Sequence, residues 1–362
     1  MFNVFIISII FLLILIVIFL ASRIHKFPII KNIKNKFLSW VISLIPILLI
    51  LLFFNYVSSL VIIIHLIIFF FLSSIITKII KKISKKEISY YVTGIMAISI
   101  TLIYLCIGAY LDYHVFETNY KIETNKELGQ DNFKIIQISD SHVGATFDGD
   151  GFYKHMEKIS KIDCDILVVT GDFVDDDTTY NDMVRSAEAL SLAKPKYGVY
   201  FVFGNHDRGY FDYRNFKEKD LVKELEKNYV SVLSDDVVNL NDYIYLIGRD
   251  DKSNKNRKTI SKLVENIDKD KYIIDLNHQP NDYDNEMNKV DLVLSGHTHG
   301  GQLFPLGYIG LLTGDNDEFY GLHKRGNTNF IVNSGISDWA VDFKTGTKSE
   351  YGVINIKKVH ST

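Results

Sequence analysis

Four stretches without a single charged side chain, residues 2–21, 37–54, 60–76 and 88–111, occupy the first third of this chain. A helix needs about 20 predominantly apolar residues to cross the hydrocarbon core of a bilayer. Each stretch therefore reads as a transmembrane helix within a membrane region, 1–111. The second and third are slightly short, and residues 55–59 between them read as a tight hairpin with an interfacial Tyr56. The alternative is two spanning helices and a buried or re-entrant pair. The N-terminus lacks the basic segment and small-residue cleavage site of a signal peptide. Within the runs, Pro46 reads as a tolerated kink. His65 reads as a packing or hydrogen-bonding residue, a functional intramembrane role being the other reading.

Charge divides the chain at the same place. Residues 1–110 hold ten Lys/Arg and one acid, whereas the remainder holds 30 basic and 42 acidic residues, so +9 stands against −12 behind a net charge of only −3. Five of the basic residues lie from Arg23 to Lys36 and five from Lys78 to Lys86, with none in the hairpin. Short basic loops stay cytoplasmic. Both basic loops fall on one side of a four-helix layout, which puts everything after the fourth helix outside the cytoplasm, at the plasma membrane. The acidic surplus argues against a nucleic-acid partner, whose binding needs a basic footprint. Two cysteines, Cys106 and Cys164, give neither a disulfide framework nor a Cys-rich zinc site.

Residues 112–131 are polar and read as a linker, and residues 132–358 as one domain. Short apolar runs at 133–139, 166–170, 199–203, 244–248, 272–276, 290–295, 330–333 and 351–356 read as strands. Helix-like stretches lie at 153–162, 180–193, 216–227 and 260–267. Strands interleaved with helices define a layered α/β domain.

Polar residues follow these strands: Asp140 and His142; Asp172; Asn205, His206 and Asp207; His278; His297 and His299. Such folds gather their sites at the carboxyl ends of strands. Singly, each block could be a turn capping the next helix. Together, they offer Asp, Asn and His donors and no Cys, which suits borderline to hard divalent metals. Seven ligands exceed one tetrahedral zinc and suit two metals sharing a carboxylate.

In order, the segments SDSH, GDFVD, GNHD, LNHQP and GHTHGGQ resemble the calcineurin-like metallophosphoesterase superfamily, specifically its bacterial membrane-associated branch with the GHTHGGQ signature. The resemblance covers residues 134 to about 356 and implies a two-sheet sandwich flanked by helices, here preceded by a bundle of four transmembrane helices. It implies that Asp140, His142 and His299 hold one divalent ion, that Asn205, His278 and His297 hold a second, and that Asp172 bridges them. Mn, Fe, Zn and Co all remain open. It implies that His206 addresses the substrate and that Asp207 orients His206. Ser141, Ser349-Glu350 and the segment 338–344 depart from the family pattern.

Two divalent ions against Asp140, Asp172 and one hydroxide leave about +1, enough to attract phosphate within an acidic domain. The implied activity is hydrolysis of a phosphoester or pyrophosphate bond by a metal-bridging hydroxide, on a phosphorylated small molecule or a lipid-linked envelope substrate. A phosphodiesterase or nuclease with the same site is one alternative, and a non-catalytic receptor or scaffold is another. A channel role for the membrane half lacks a polar stripe. Arg249 and Asp250 are candidates to line the pocket or a surface loop. Gly300 and Gly301 would let the backbone pass close to the metals. Asp175 reads as structural or as a support to the site. Residues 303–312 (LFPLGYIGLL) read as a buried loop or as a lip for a lipid-like substrate. His114, His155, His323 and His360 have no ligand spacing and read as surface residues.

Overall fold

A computed structural model describes residues 2–85, 91–210 and 213–359, with side chains from Phe11 onward; His360 lies outside them. The chain divides into two compact units, Met1–Gly108 and Ala109–Thr362.

The first unit is helical: α1 (Phe2–Ile24), α2 (Pro28–Lys31), α3 (Lys36–Phe53), α4 (Tyr56–Ser84) and most of α5 (Val92–Tyr113). Among the described residues, α3, α4 and α5 are long and apolar enough to cross a membrane. The described side chains of α1 give a shorter apolar helix, Phe11–Ile24, and the rest of the expected first span lies outside them. Asn35 and Asn55 start α3 and α4 by accepting from the backbone N–H of Leu38 and Ser58, satisfying donors that the first turn leaves free. α4 continues past the expected end at 76. Lys81 and Lys82 lie in its last turn, where the helix dipole favours cations. His65 donates from Nδ1 to the Val61 carbonyl at 2.7 Å and packs on Tyr104 with ring centroids 5.0 Å apart.

The second unit is built on two six-stranded mixed sheets. Its strands are β1 (Phe116–Thr124), β2 (Asn132–Ile138), β3 (Ile166–Thr170), β4 (Val199–Val202), β5 (Val230–Leu233), β6 (Asp236–Asn241), β7 (Ile244–Gly248), β8 (Tyr272–Leu276), β9 (Leu292–Ser295), β10 (Gly321–Arg325), β11 (Thr328–Val332) and β12 (Glu350–Lys358). One sheet runs β1-β12-β2-β3-β4-β5 and the other β10-β11-β9-β8-β7-β6. Between them lies an apolar layer including Ile135, Ile166, Val168, Leu246, Ile274, Leu294 and Ile331. The outer face of the first sheet buries Ile136, Leu167, Val169 and Phe201 with Phe152 and Met156 of α6 (Gly149–Ile159), Met183 of α7 (Tyr180–Leu190) and Leu221 of α8 (Glu218–Lys227). The second sheet is covered by the short helices α9 (Ile260–Leu263) and α10 (Tyr283–Glu286). Strands buried on both faces read as continuous apolar runs, and this is why the central strands were recognisable in the sequence.

The reading of 112–131 as a linker is corrected. Phe116–Thr124 is a nine-residue strand paired in parallel with β12, from Phe116 opposite Glu350 to Thr124 opposite Lys358. Only Tyr120 and Ile122 of this strand are buried, so an edge strand passed for a polar tether. The segment 303–312 is also not a buried loop. It runs into α11 (Gly307–Thr313), and Phe304, Leu306, Tyr308, Ile309 and Leu312 are at least half exposed, Leu312 at 85%.

Candidate metal centre

Parallel pairing of β2, β3 and β4 in one sheet, and of β7, β8, β9 and β11 in the other, brings their carboxyl ends to one edge of the sandwich. Asp140 and His142 follow β2, Asp172 follows β3, Asn205 and His206 follow β4, His278 follows β8, and His297 and His299 follow β9. Asp140, His142, Asp172, His297 and His299 all have φ between 34° and 71°. Non-glycine residues seldom adopt this left-handed region, and such strain gathers at functional sites. Gly204 is required here because a Cβ on it would collide with the Asp172 carboxylate.

Three groups of potential ligands form among the described residues: His142, Asp175 and His206, and two further clusters. Asp140, His142 and His299 present donor atoms within 4.8 Å of one another, and so do Asp172, His278 and His297. Asp172 faces both clusters. Its Oδ2 lies 3.1 Å from His278 Nε2 and 3.7 Å from His142 Nε2. Asn205 Oδ1 lies 3.2 Å from the same His278 nitrogen. The far nitrogens are held from behind. His278 Nδ1 donates to the Thr170 carbonyl at 2.8 Å, His142 Nδ1 to Asp175 Oδ2 at 3.0 Å, and His299 Nδ1 to Asp338 Oδ1 at 3.0 Å. A carboxylate or carbonyl on one ring nitrogen fixes the tautomer that leaves the other free to bind a metal. His142 Nε2 is buried with no hydrogen-bond partner, as expected of a nitrogen kept for a cation. The donor set therefore fits divalent metal ions.

The electrostatics favour a cation as well. Burial would lower the pKa of His278, but the charge of Asp172 and its hydrogen bond hold it well above the usual range. His142 is also raised, because Asp175, Asp172 and Asp140 together outweigh its burial. Burial pushes His297 down to about 4 and His299 down to about 3. Burial acts to raise Asp172, but His278, His142 and His206 keep its carboxyl well below the normal value.

Asp207 does not orient His206. Its carboxylate accepts four backbone N–H groups, from Asp172 and Gly204 on Oδ2 and from Phe173 and Val174 on Oδ1, at 2.7–3.1 Å. Burial first, and the Asp172 charge second, push its pKa up to about 6. The partner of His206 is Asp175, whose Oδ1 accepts from Nδ1 at 3.0 Å. Adjacency in sequence pointed to Asp207, whereas the signal for Asp175 was its place three residues after Asp172 in GDFVD.

Arg249 is buried, and its guanidinium is committed to Glu286 at 2.6 Å and Asp282 at 2.8 Å. Asp250 accepts from Arg208 at 2.6 Å and from Asn254 at 2.5 Å. Both side chains are buried and engaged in these contacts. Gly300 and Gly301 lie in a 3-10 turn with φ of 59° and 73°. A Cβ on Gly300 would come within 2.6 Å of the Thr347 side chain. His155 is half-buried, with its ring 5.1 Å from that of Phe147. Asp338, the residue behind His299, was missed.

A two-sheet sandwich with candidate metal-ligand groups of Asp and His at its strand ends fits a metallophosphoesterase. The family signature of calcineurin-like phosphoesterases matches residues 133–301. A metallophosphoesterase of Aquifex aeolicus is 34% identical over 210 residues, which are 56% of this chain and 77% of that protein. A transmembrane protein with a metallophosphoesterase domain from Danio rerio is 27% identical over 241 residues, and the match spans 62% of this chain but only 53% of that protein. Among solved structures, the purple acid phosphatase of yellow lupin seeds aligns over 64% of this chain and 55% of its own, with 14% identity and a TM-score of 0.35. The chain belongs to the calcineurin-like metallophosphoesterase family.

Proposed function

We propose that this chain is a membrane-anchored phosphohydrolase with a dinuclear metal centre. Asp140, His142 and His299 hold one ion, Asn205, His278 and His297 hold the other, and Asp172 bridges them. The observation that carries this reading is the position of Asp172, with one carboxylate oxygen facing imidazoles of both clusters. Two divalent ions there would supply an acidified water at neutral pH and neutralise charge on the phosphoryl oxygens. His206 donates a proton to the leaving oxygen or hydrogen-bonds the phosphoryl group, while Asp175 holds its ring.

The substrate proposed is a lipid-linked phosphoester or pyrophosphate. Two features support this. The last apolar helix ends at Tyr113 and β1 begins at Phe116, so only His114 and Val115 intervene. The segment 303–312 also exposes several large apolar side chains, as a lip for an acyl chain would. The basic loops support an extracytoplasmic domain at the plasma membrane, with α1 as a fourth span.

The test is metal analysis of the full chain in detergent, then assays on soluble phosphomonoesters, phosphodiesters, lipid pyrophosphates and nucleic acid. Two ions per chain and a preference for the lipid-linked substrates are expected. A chain that binds no metal would favour the non-catalytic scaffold. Preference for nucleic acid would favour the nuclease reading. A C-terminal reporter active only in the cytoplasm would overturn the orientation.

A further inference from the structure

The segment 338–344, which departs from the family pattern, reaches the centre from behind His299. Lys344 is wholly buried. Its ammonium donates to the carbonyls of Ser334 at 2.8 Å, Ser337 at 3.1 Å and Gly335 at 3.4 Å, and to Ser349 Oγ at 3.2 Å. A buried ammonium is costly unless its donors are satisfied, and these oxygens satisfy them. They also gather the turn after β11 around one point. Asp338 lies at the end of that turn, with its own N–H bonded to Thr146 Oγ1 at 3.2 Å. Its Oδ1 accepts from His299 Nδ1 at 3.0 Å and lies 3.5 Å from the Lys344 ammonium.

We propose that Asp338, set in place by Lys344, is a positioning residue for His299. It holds the Nδ1 proton and so directs Nε2 into the cluster with Asp140 and His142. The imidazole–carboxylate contact is shorter than the ammonium–carboxylate one, and Lys344 has nearer partners in the carbonyls. A plain ion pair between Lys344 and Asp338 would show the reverse order. Asp112, buried in the last turn of α5, also interacts with Asp338.

The inference rests on the metal-centre reading. It is tested by calorimetric titration of the metal-stripped full chain with Mn²⁺. Losing the residue that orients a metal-binding imidazole typically costs about 10–100-fold in affinity. In Asp338→Ala, one of the two sites should weaken by about that factor while the other keeps wild-type affinity. Asp338→Asn keeps an oxygen acceptor and should restore the weakened site. If both sites of Asp338→Ala match wild type, or both weaken equally, the inference is overturned. If wild type binds no metal, the metal-centre reading fails, and this inference fails with it. Should the Ala variant not fold, histidine ¹⁵N spectra of the Zn²⁺-loaded wild type read the same point. His299 protonated on Nδ1 supports the assignment, and protonation on Nε2 refutes it.

Discussion

Asp175 Oδ1 accepts a hydrogen bond from His206 Nδ1 at 3.0 Å, while Oδ2 of the same carboxylate takes His142 Nδ1 at the same distance. One side chain thus ties His206, the imidazole proposed to address the substrate, to His142 of the candidate metal cluster. His206→Ala should keep both metals and lose about 10²–10⁴-fold in turnover, the usual contribution of a general acid. Asp175→Ala should lose turnover and also weaken one metal site. Metal content and kcat of the two variants, measured side by side, separate these outcomes. Equal metal binding in both would remove Asp175 from the cluster.

Asp172→Asn should lose both metals. The substitution removes the negative charge that faces His278 and His142 at 3.1 Å and 3.7 Å. Elemental analysis reads the result directly, and two ions at full occupancy would contradict the bridging role.

Asp207→Ala should destabilise the fold, by about 3 kcal/mol or more, because hydrogen bonds to a charged acceptor contribute about 1.5–3 kcal/mol each. Four backbone N–H groups lose that acceptor. Thermal unfolding checks the size of the effect. A variant with wild-type stability but lost turnover would restore Asp207 to the role first expected of it.

Metal uptake should release protons. In the metal-free protein, the pKa values of His278 and His142 are both raised, so these rings hold protons that a metal must displace. Affinity should therefore fall as pH falls. Calorimetry in buffers of different ionisation enthalpy should give a positive count of protons released per metal. A count of zero would contradict the prediction.

His155 should make the fold sensitive to acid. Burial first, then the charges of Lys158 and His114, lower its pKa from 6.5 to about 4. The folded state keeps the ring neutral, whereas the unfolded chain takes up a proton below about 6.5. Stability from this residue is therefore complete above pH 6.5, is lost as pH falls towards 4, and changes no further below that. His155→Phe should lose less stability than wild type across this interval. Parallel pH–stability profiles for the two proteins would exclude the effect.

The residues that gather at the strand ends were legible because each follows a buried strand and its side chain has few other uses at that position. The supporting contacts were less so. A carboxylate three residues from Asp172 does not reveal which imidazole it meets, and the turn at Asp207 aims its side chain away from its neighbour His206 and onto backbone amides. Asp338 lies some 40 residues beyond His299, in a segment without a recognisable pattern, so only folding could bring the two together. β1 was missed for a reason of exposure. An edge strand that buries two of its side chains carries too weak an alternation to stand out from a polar tether.

That strand bears on how such a domain could leave a membrane. A protease cutting anywhere in residues 125–131 would sever the chain but not shed the hydrolase. The segment Phe116–Thr124 would stay seated along Glu350–Lys358, turning a covalent anchor into a non-covalent one. Release requires a cut ahead of Phe116, and only His114 and Val115 separate that residue from the end of α5.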